Sequence, residues 1–418
     1  MRFSHILSLP ALTLLSNSAC PDSVATMNNP FITSAFWRLF PAGMRRRWWW
    51  FRLFDVIAKN WPVFKARRGL VVVRMDGIGD MVLFRSSLDH YAEAFGVDQS
   101  EITVIGCNSW KALADQVFEG YRVIPIDEHR FAKRPLYRFR ISLRVRKLAP
   151  RIAVCDQYMR RALMADSLVL VSGAEQSVVS MPYINGPTRA EFTWYMSQFS
   201  QVIDTGPYPT HEIIRHHNFV CRVSGREIPP MAPTFNWQPA PVEIEGKYCV
   251  LNPGSNEFGR RWPLDQYFEL ARTLVREGYR VVFVGKADEK KNADSLEVIS
   301  REDGIIDLTG KTNLPGLVDL LKNAALVVSN DTGPAHLSIA VGAPTVVIVG
   351  GGHFSSFVPY PEAQTPPQVR FVFERMPCYH CFWRCDKRSD PLDSFPCVAG
   401  VRFDSVIEAC RSLSNPQQ

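Results

Sequence analysis

The chain has 418 residues, 46% hydrophobic and 21% charged, with a formal net charge of +7. These proportions are ordinary for a globular protein and argue against disorder, and the length suits two α/β domains better than a single core. A positive balance fits nucleic acid, anionic lipid or a phosphate-rich substrate and cannot choose among them, while ten cysteines are too few for a disulfide scaffold at this length.

Residues 6–15 form a short apolar run after a weakly basic start, and Ser18-Ala19-Cys20 has the look of a lipoprotein processing site. The run is far shorter than the ~20 apolar residues that span a bilayer. A misassigned start, with the working chain beginning near Met27, is preferred to a real signal. Residues 31–64 are aromatic and basic, with Trp37, Phe40, Arg45-Arg46-Arg47, Trp48-Trp49-Trp50 and Arg52. Indole and guanidinium together suit a membrane interface; an arm packed on the protein's own surface is the alternative. Residues 1–66 are therefore set apart as an N-terminal extension.

The first domain is expected over 67–232. A β-branched run at 70–73 predicts a strand buried on both faces, followed by the turn Arg74-Met75-Asp76-Gly77-Ile78-Gly79-Asp80 and a helix over 81–95 stopped by Gly96. Further strands are expected at 102–105, 122–126, 152–155 and 168–171, and their alternation with helical stretches implies a parallel sheet. Pro229, Pro230, Pro233, Pro239 and Pro241 mark a boundary, with a linker over 233–245. The second domain, 246–418, repeats the alternation: strands at 248–251, 280–284, 305–308, 326–329 and 345–349, with helices at 264–277, 315–324 and 333–341. Doubly wound sheets bind ligands at the carboxyl ends of their strands, so two such domains face to face make a cleft for two substrates.

Three strand-to-helix junctions could carry chemistry. Ser329-Asn330-Asp331-Thr332-Gly333-Pro334-Ala335-His336 joins a buried strand to a helix whose uncovered N–H groups and positive end suit a phosphate. An ordinary capped helix with a surface histidine is the alternative. Asn252-Pro253-Gly254-Ser255-Asn256-Glu257-Phe258-Gly259-Arg260-Arg261-Trp262-Pro263 opens onto the same edge, where Ser255 and Arg260 or Arg261 could hold a diphosphate; a solvated loop would explain the arginines equally well. The turn ending in Asp80 invites a dinucleotide reading, but position 82 is valine rather than glycine. The next strand ends in Gly106-Cys107-Asn108, with no acid to take a ribose. Asp80 could instead accept a proton from a hydroxyl, or cap the helix. The chain contains no Asp-x-Asp, so a metal-independent reaction is expected.

Taken in order, Arg-x4-Gly-Asp, the Gly-Ser…Arg-x-Trp-Pro loop and Asp-Thr-Gly-Pro-x-His resemble glycosyltransferase family 9, whose heptosyltransferases add heptose from ADP-heptose to the inner core of lipopolysaccharide. The resemblance runs from about Leu70 to Cys410. It is weaker in the first domain, where Asp156-Gln157 and His211-Glu212…Arg215 look like family positions. It implies two Rossmann-like doubly wound domains facing a cleft, the GT-B architecture, and an inverting mechanism. By similarity Asp80 is the general base. Ser255 and Arg260, with Gly254 and Asn256 in the same loop, contact the donor diphosphate; Arg260 stands where the family usually has lysine. Asp331, Thr332, Gly333 and His336 bind the nucleotide diphosphate, and Arg74, Gly79 and Asp156 lie on the acceptor side. The implied donor is an ADP-sugar and the implied acceptor a lipopolysaccharide-core or other lipid-linked glycan, with no cofactor needed for catalysis and no nucleic acid partner. The place of work is cytoplasmic, peripheral at the inner face of the inner membrane. A non-catalytic nucleotide-sugar-binding protein of the same fold is the alternative.

Late in the chain Cys378, Cys381, Cys385 and Cys397 have spacings suited to a thiolate site, and a structural zinc is the expectation there, against reduced loop thiols or a redox-sensitive pair. The other six cysteines are scattered, as reduced buried thiols are.

Overall fold

In a computed structural model of the chain, residues 47–286 and 293–414 are described. The readings made for residues 1–46, the apolar start and the first part of the aromatic and basic stretch, lie outside them. The folded unit contains two sheets, each of six parallel strands. The first is built from β1 (Leu70–Arg74), β2 (Ile102–Cys107), β3 (Arg122–Ile126), β4 (Ile152–Cys155), β5 (Gln176–Ser180) and β6 (Gln201–Ile203), in the order β3-β2-β1-β4-β5-β6. The second comprises β7 (Tyr248–Asn252), β8 (Arg280–Phe283), β9 (Ile305–Asp307), β10 (Leu326–Asn330), β11 (Thr345–Ile348) and β12 (Val369–Val372), ordered β12-β11-β10-β7-β8-β9. Numbered within its own half, each sheet has the doubly wound order 3-2-1-4-5-6. The order reverses between β1 and β4 in one and between β7 and β10 in the other, and those crevices are where such sheets place ligands.

The central strands β1, β4, β7 and β10 are buried at every residue, as helices on both faces require. One apolar cluster joins the halves. It runs from Met81, Phe84 and Leu88 of the helix Ile78–Leu88, through Phe235 and Trp237, to Val318, Leu337 and Ala340 of the helices facing them. The proline-rich stretch takes part in this contact. Thr234 N–H donates to Ser86 Oγ (3.1 Å), Phe235 N–H to the Ala340 carbonyl (3.4 Å) and Trp237 Nε1–H to Asp319 (2.7 Å). It behaves as a packed strap rather than a free spacer.

The expected strand at 168–171 is corrected: it lies inside the helix Ala165–Ser172. All eight residues of that helix are buried. A run buried on every side has no periodicity with which to tell helix from strand. The expected helix over 81–95 is two helices, Ile78–Leu88 and Tyr91–Phe95, the second closed by Gly96 in the left-handed region (φ 59°). The helix Arg47–Lys59, in the stretch set apart as an extension, buries Phe51, Asp55 and Ala58. Asp55 accepts from Tyr195 Oη (2.6 Å) and from Arg138 (3.2 Å), so both oxygens of this fully buried carboxylate have partners. No described helix is long and apolar enough to cross a membrane.

Candidate active site

A cleft of about 620 Å³ lies between the two sheets at the carboxyl ends of their strands. That volume suits a ligand of nucleotide size. From the first domain it takes Gly77, Ile78, Gly79 and Asp80; from the second it takes Gly254, Ser255, Asn256, Arg260, Asp331, Thr332, Gly333 and His336. Three junctions far apart in sequence thus share one cavity.

The two domains meet there through glycines. A Cβ on Gly79 would lie 2.8 Å from His336 Cδ2, and a Cβ on Gly333 would lie 3.1 Å from Ile78 Cβ. The helix Ile78–Leu88 begins after Gly77, which makes no side-chain cap, and Asp80 falls in its first turn. The alternative of Asp80 as the cap is therefore set aside. The helix Gly333–Ala340 begins after Thr332, whose side chain does not cap it either. Thr332 Oγ1 instead accepts from Asn252 Nδ2 (3.1 Å), which also donates to Ser329 Oγ (2.9 Å). Asn330 braces the other way: its amide donates to the Pro253 carbonyl (2.8 Å) and its oxygen accepts from Trp262 N–H (3.0 Å). Two asparagines at the ends of β7 and β10 thereby lock the two loops that follow these strands together.

Of the paired arginines, Arg261 turns back onto its own loop and donates to the Ser255 carbonyl (2.7 Å). Arg260 faces the cleft, donates to the Asp331 carboxylate (2.9 Å) and lies 4.5 Å over the ring of Trp383. Three polar atoms on this wall, Ser255 Oγ, Arg260 Nε and His353 Nδ1, are buried without a hydrogen-bond partner among the described residues. Buried donors left open in this way are costly unless a ligand satisfies them. Asn256 is exposed at the rim and accepts from Lys286 Nζ (2.7 Å). His336 hydrogen-bonds through Nδ1 to Tyr360 Oη (2.8 Å), while its Nε2 lies 3.9 Å from Asp331. Burial lowers the His336 pKa; Asp331 and Asp80 pull it upward and Arg260 opposes them.

Arg74 and Asp156, expected on the acceptor side, do not line the cleft. They are buried beneath the Asp80 turn, Arg74 donating to Asp156 (2.6 Å), pairing with Asp76 and reaching the Asp80 carbonyl (3.3 Å). Asp156 also binds His216 Nδ1 (2.7 Å). Burial alone would raise the Asp156 pKa, but His216 and Arg74 hold it well below the usual carboxylate range. Burial pushes Asp76 up to about 7 against the pull of Arg74, with Asp80 adding to the rise. Glu212 opens the helix Glu212–Ser224 and is pushed up to about 8 by burial, Arg215 opposing. The preceding His211 accepts from Ile213 N–H at Nδ1 (3.1 Å), so its Nε2–H donates to the Phe357 carbonyl of the second domain (2.9 Å). A neutral ring fits that burial, which lowers His211 to about 3.

The sequence reading missed Asp76, His216, Lys286, His353 and Trp383. Asp76 lay inside a motif already singled out, and Lys286 follows a strand-ending glycine. His216, His353 and Trp383 carry no local signal, because each is brought in by packing between remote segments.

The four late cysteines border a separate small cleft, with Trp383 on its wall. Among the described residues no group of three or more His, Cys, Asp or Glu side chains is placed to hold a metal ion. That placement lends the zinc expectation no support. Burial raises the pKa of Cys381 and Cys397, and Cys397 Sγ accepts from Gly351 N–H (3.4 Å). Outside the cluster, Cys107, Cys155, Cys249 and Cys410 are buried free thiols and Cys221 a half-buried one.

Part of the chain is similar to a known family. The sequence model of glycosyltransferase family 9 (heptosyltransferase) matches residues 227–386. A lipooligosaccharide heptosyltransferase 2 of Haemophilus influenzae is 39% identical over 103 residues, 23% of this chain and 30% of the relative. The match spans 30% of the length of the first of these curated relatives and 52% of the second. Among solved structures, a family 9 glycosyl transferase from Veillonella parvula superposes with a TM-score of 0.66 at 15% identity, covering 85% of this chain and 100% of that one. The E. coli ADP-heptose LPS heptosyltransferase II gives 0.62 at 17% identity, covering 84% and 99%. These likenesses establish the two-domain GT-B fold.

Proposed function

We propose, from the premise that this chain belongs to glycosyltransferase family 9, that it transfers heptose from ADP-heptose to a sugar hydroxyl of a lipopolysaccharide core, with inversion and without a catalytic metal. The observation that best supports this is the meeting of Asp80 with Ser255, Arg260 and the helix start at Gly333 around one cleft.

In this reading Asp80 takes the proton from the acceptor hydroxyl as its oxygen attacks the anomeric carbon. The bond from that carbon to the diphosphate breaks on the opposite face, so configuration inverts. Negative charge growing on the leaving diphosphate is met by Arg260, the Ser255 hydroxyl and the positive end of the helix Gly333–Ala340. A carboxylate is a poor direct partner for a diphosphate, so Asp331 serves by holding Arg260, with which it already pairs at 2.9 Å. The same carboxylate can accept from a sugar hydroxyl. Arg74, bonded to the Asp80 carbonyl and to Asp156, keeps the base's turn in place. The acceptor is lipid-linked in this scheme, and the protein works on the cytoplasmic face of a membrane.

The test is ADP release from ADP-heptose with a heptose-deficient lipopolysaccharide core, compared with UDP- and GDP-linked sugars. Release that depends on both ADP-heptose and the core supports the reading; acceptor-independent binding with no release supports a binding protein of the same fold.

A further inference from the structure

The diphosphate cradle divides the cleft into two arms. One lies over the ends of β8 and β9, where Val284, Thr312 and Leu314 line it. The other lies past the end of β11, where His353 and Phe357 line it together with Trp383 from a later loop. The helix Gly333–Ala340 follows β10, and its contacts with Ile78 and Gly79 set the Asp80 turn beside that strand. With strands spaced ~4.8 Å apart, β11 is one step from β10, whereas β9 is three steps, roughly 14 Å, away on the other side. The carbon under attack is bonded to the diphosphate and must also reach the hydroxyl held at Asp80. The sugar therefore fits the β11 arm, which leaves the nucleoside for the other.

Glycines after β11 shape this arm. Cβ atoms on Gly351 and Gly352 would overlap the rings of Tyr379 and Trp383. Without them the late loop lies directly on the glycines: His380 N–H donates to the Gly351 carbonyl (2.8 Å) and Phe382 N–H to the Gly352 carbonyl (2.9 Å). His380, Phe382 and Trp383 all take left-handed backbone (φ 69°, 55° and 60°). Strain of that kind persists only where the surroundings hold it, and it gathers at ligand clamps. Phe382 and Trp383 are thereby set against the His353 imidazole, with ring centroids 4.9 Å and 6.3 Å away, and Phe357 meets it at 5.8 Å. Tyr208 of the first domain stacks on Phe382 (4.8 Å) and meets the same imidazole (6.3 Å).

Caged by these rings, the imidazole has little freedom, yet its Nδ1 is buried with no hydrogen-bond partner among the described residues. Burial, with Arg260 adding and Asp331 opposing, lowers the His353 pKa to about 4. The ring is therefore neutral at pH 7, with one nitrogen to donate and one to accept. A neutral imidazole among apolar rings is poorly suited to a phosphate, which Arg260 and the helix start at Gly333 already serve. A few fixed polar atoms beside aromatic faces suit a ring that carries hydroxyls. We infer that His353 hydrogen-bonds a hydroxyl of the sugar being transferred, and that Phe382 and Trp383 hold the imidazole in place for it. This role rests on the transfer reading above and makes His353 a residue that reads the sugar rather than its diphosphate.

The experiment is titration calorimetry of the full chain with ADP and with ADP-heptose. The parent should bind ADP-heptose at least about fivefold more tightly than ADP. His353→Phe and His353→Ala, which remove both ring nitrogens, should weaken ADP-heptose at least about fivefold while ADP stays within about twofold. His353→Gln restores a donor and an acceptor and should recover part of the loss, which a merely structural role would not give. Retained ADP binding shows in each variant that the cleft is intact, so misfolding of one leaves the others to decide. ADP-heptose affinity unchanged in the phenylalanine or alanine variant, or equal losses for both ligands, overturns the proposal. So does a parent that binds the two ligands alike. A parent that prefers ADP-heptose to ADP, yet releases no ADP in the presence of the core acceptor, would remove the transfer reading and leave the contact of His353 with the bound sugar standing.

Discussion

Gly79 and His336 touch across the cleft because the glycine has no side chain; a Cβ there would stand 2.8 Å from the imidazole Cδ2. The contact lies between the domain carrying Asp80 and the domain carrying the loops after β7 and β10. His336 cannot retreat freely, being stacked on Tyr360 at 5.8 Å and bonded to its hydroxyl. The close approach of the two helices here depends on the absence of a side chain at position 79.

Gly79→Ala should therefore spread the cleft. Small displacements at a reaction centre can cost up to about 100-fold in rate, and a loss of at least about tenfold in kcat is expected, with the fold retained. Steady-state kinetics with thermal melting would check this; unchanged kcat would show that the helices slide apart at no cost to the chemistry.

Arg260 is held on two sides, by Asp331 at 2.9 Å and by the Trp383 ring at 4.5 Å. Arg260→Ala should weaken ADP-heptose at least about tenfold, by loss of a charge-assisted contact. Trp383→Leu keeps the cation but not its platform, so a smaller loss of about two- to fivefold is expected. Titration calorimetry would rank the two, and equal losses would mean that the tryptophan matters in some other way.

The Ser255 hydroxyl is buried without a partner. Removing an unsatisfied polar group relieves a cost, so Ser255→Ala should melt at or above the parent temperature in the absence of ligand. The stabilisation produced by ADP should shrink, since ligand-induced stabilisation tracks affinity. An apo protein that melts well below its parent would assign the serine to the fold instead.

Glu212 offers a pH test. Burial raises its folded pKa to about 8, above the ordinary 4.5. The folded state therefore holds this proton more tightly than the unfolded state, and the stability it contributes is full below about pH 4.5 and lost as pH rises through about 8. A glutamine stays neutral throughout. Glu212→Gln should gain stability relative to the parent between about pH 5.5 and pH 8.5, read as the difference in melting temperature at the two ends. A difference that does not change with pH would show the carboxylate ionised at both.

Much of the site could be read from the sequence because its chemistry sits at strand ends, where local signals are strong. Asn252 to Pro263 and Ser329 to His336 follow β-branched runs and hold their glycines and hydroxyls in short compass. What escaped was set by packing at a distance. The segment Ala165–Ser172 is uniformly apolar, so its helix left no trace of period. His216 reaches Asp156 from sixty positions away, and Trp383 reaches Arg260 from a loop whose cysteines drew attention to metal instead. Arg74 and Asp156 were recognised as special residues but not as buried ones, since a polar side chain in sequence does not reveal whether it faces a substrate or props the turn that does.

The central claim is that Asp80 removes the acceptor's proton while the other domain holds the donor. It is tested most directly by measuring kcat for heptose transfer together with the ADP-heptose Kd in Asp80→Asn, which keeps the size of the side chain and removes its basicity. The account predicts a fall in kcat of at least about 1000-fold, with Kd within about threefold of the parent. Turnover within about tenfold of the parent would contradict it.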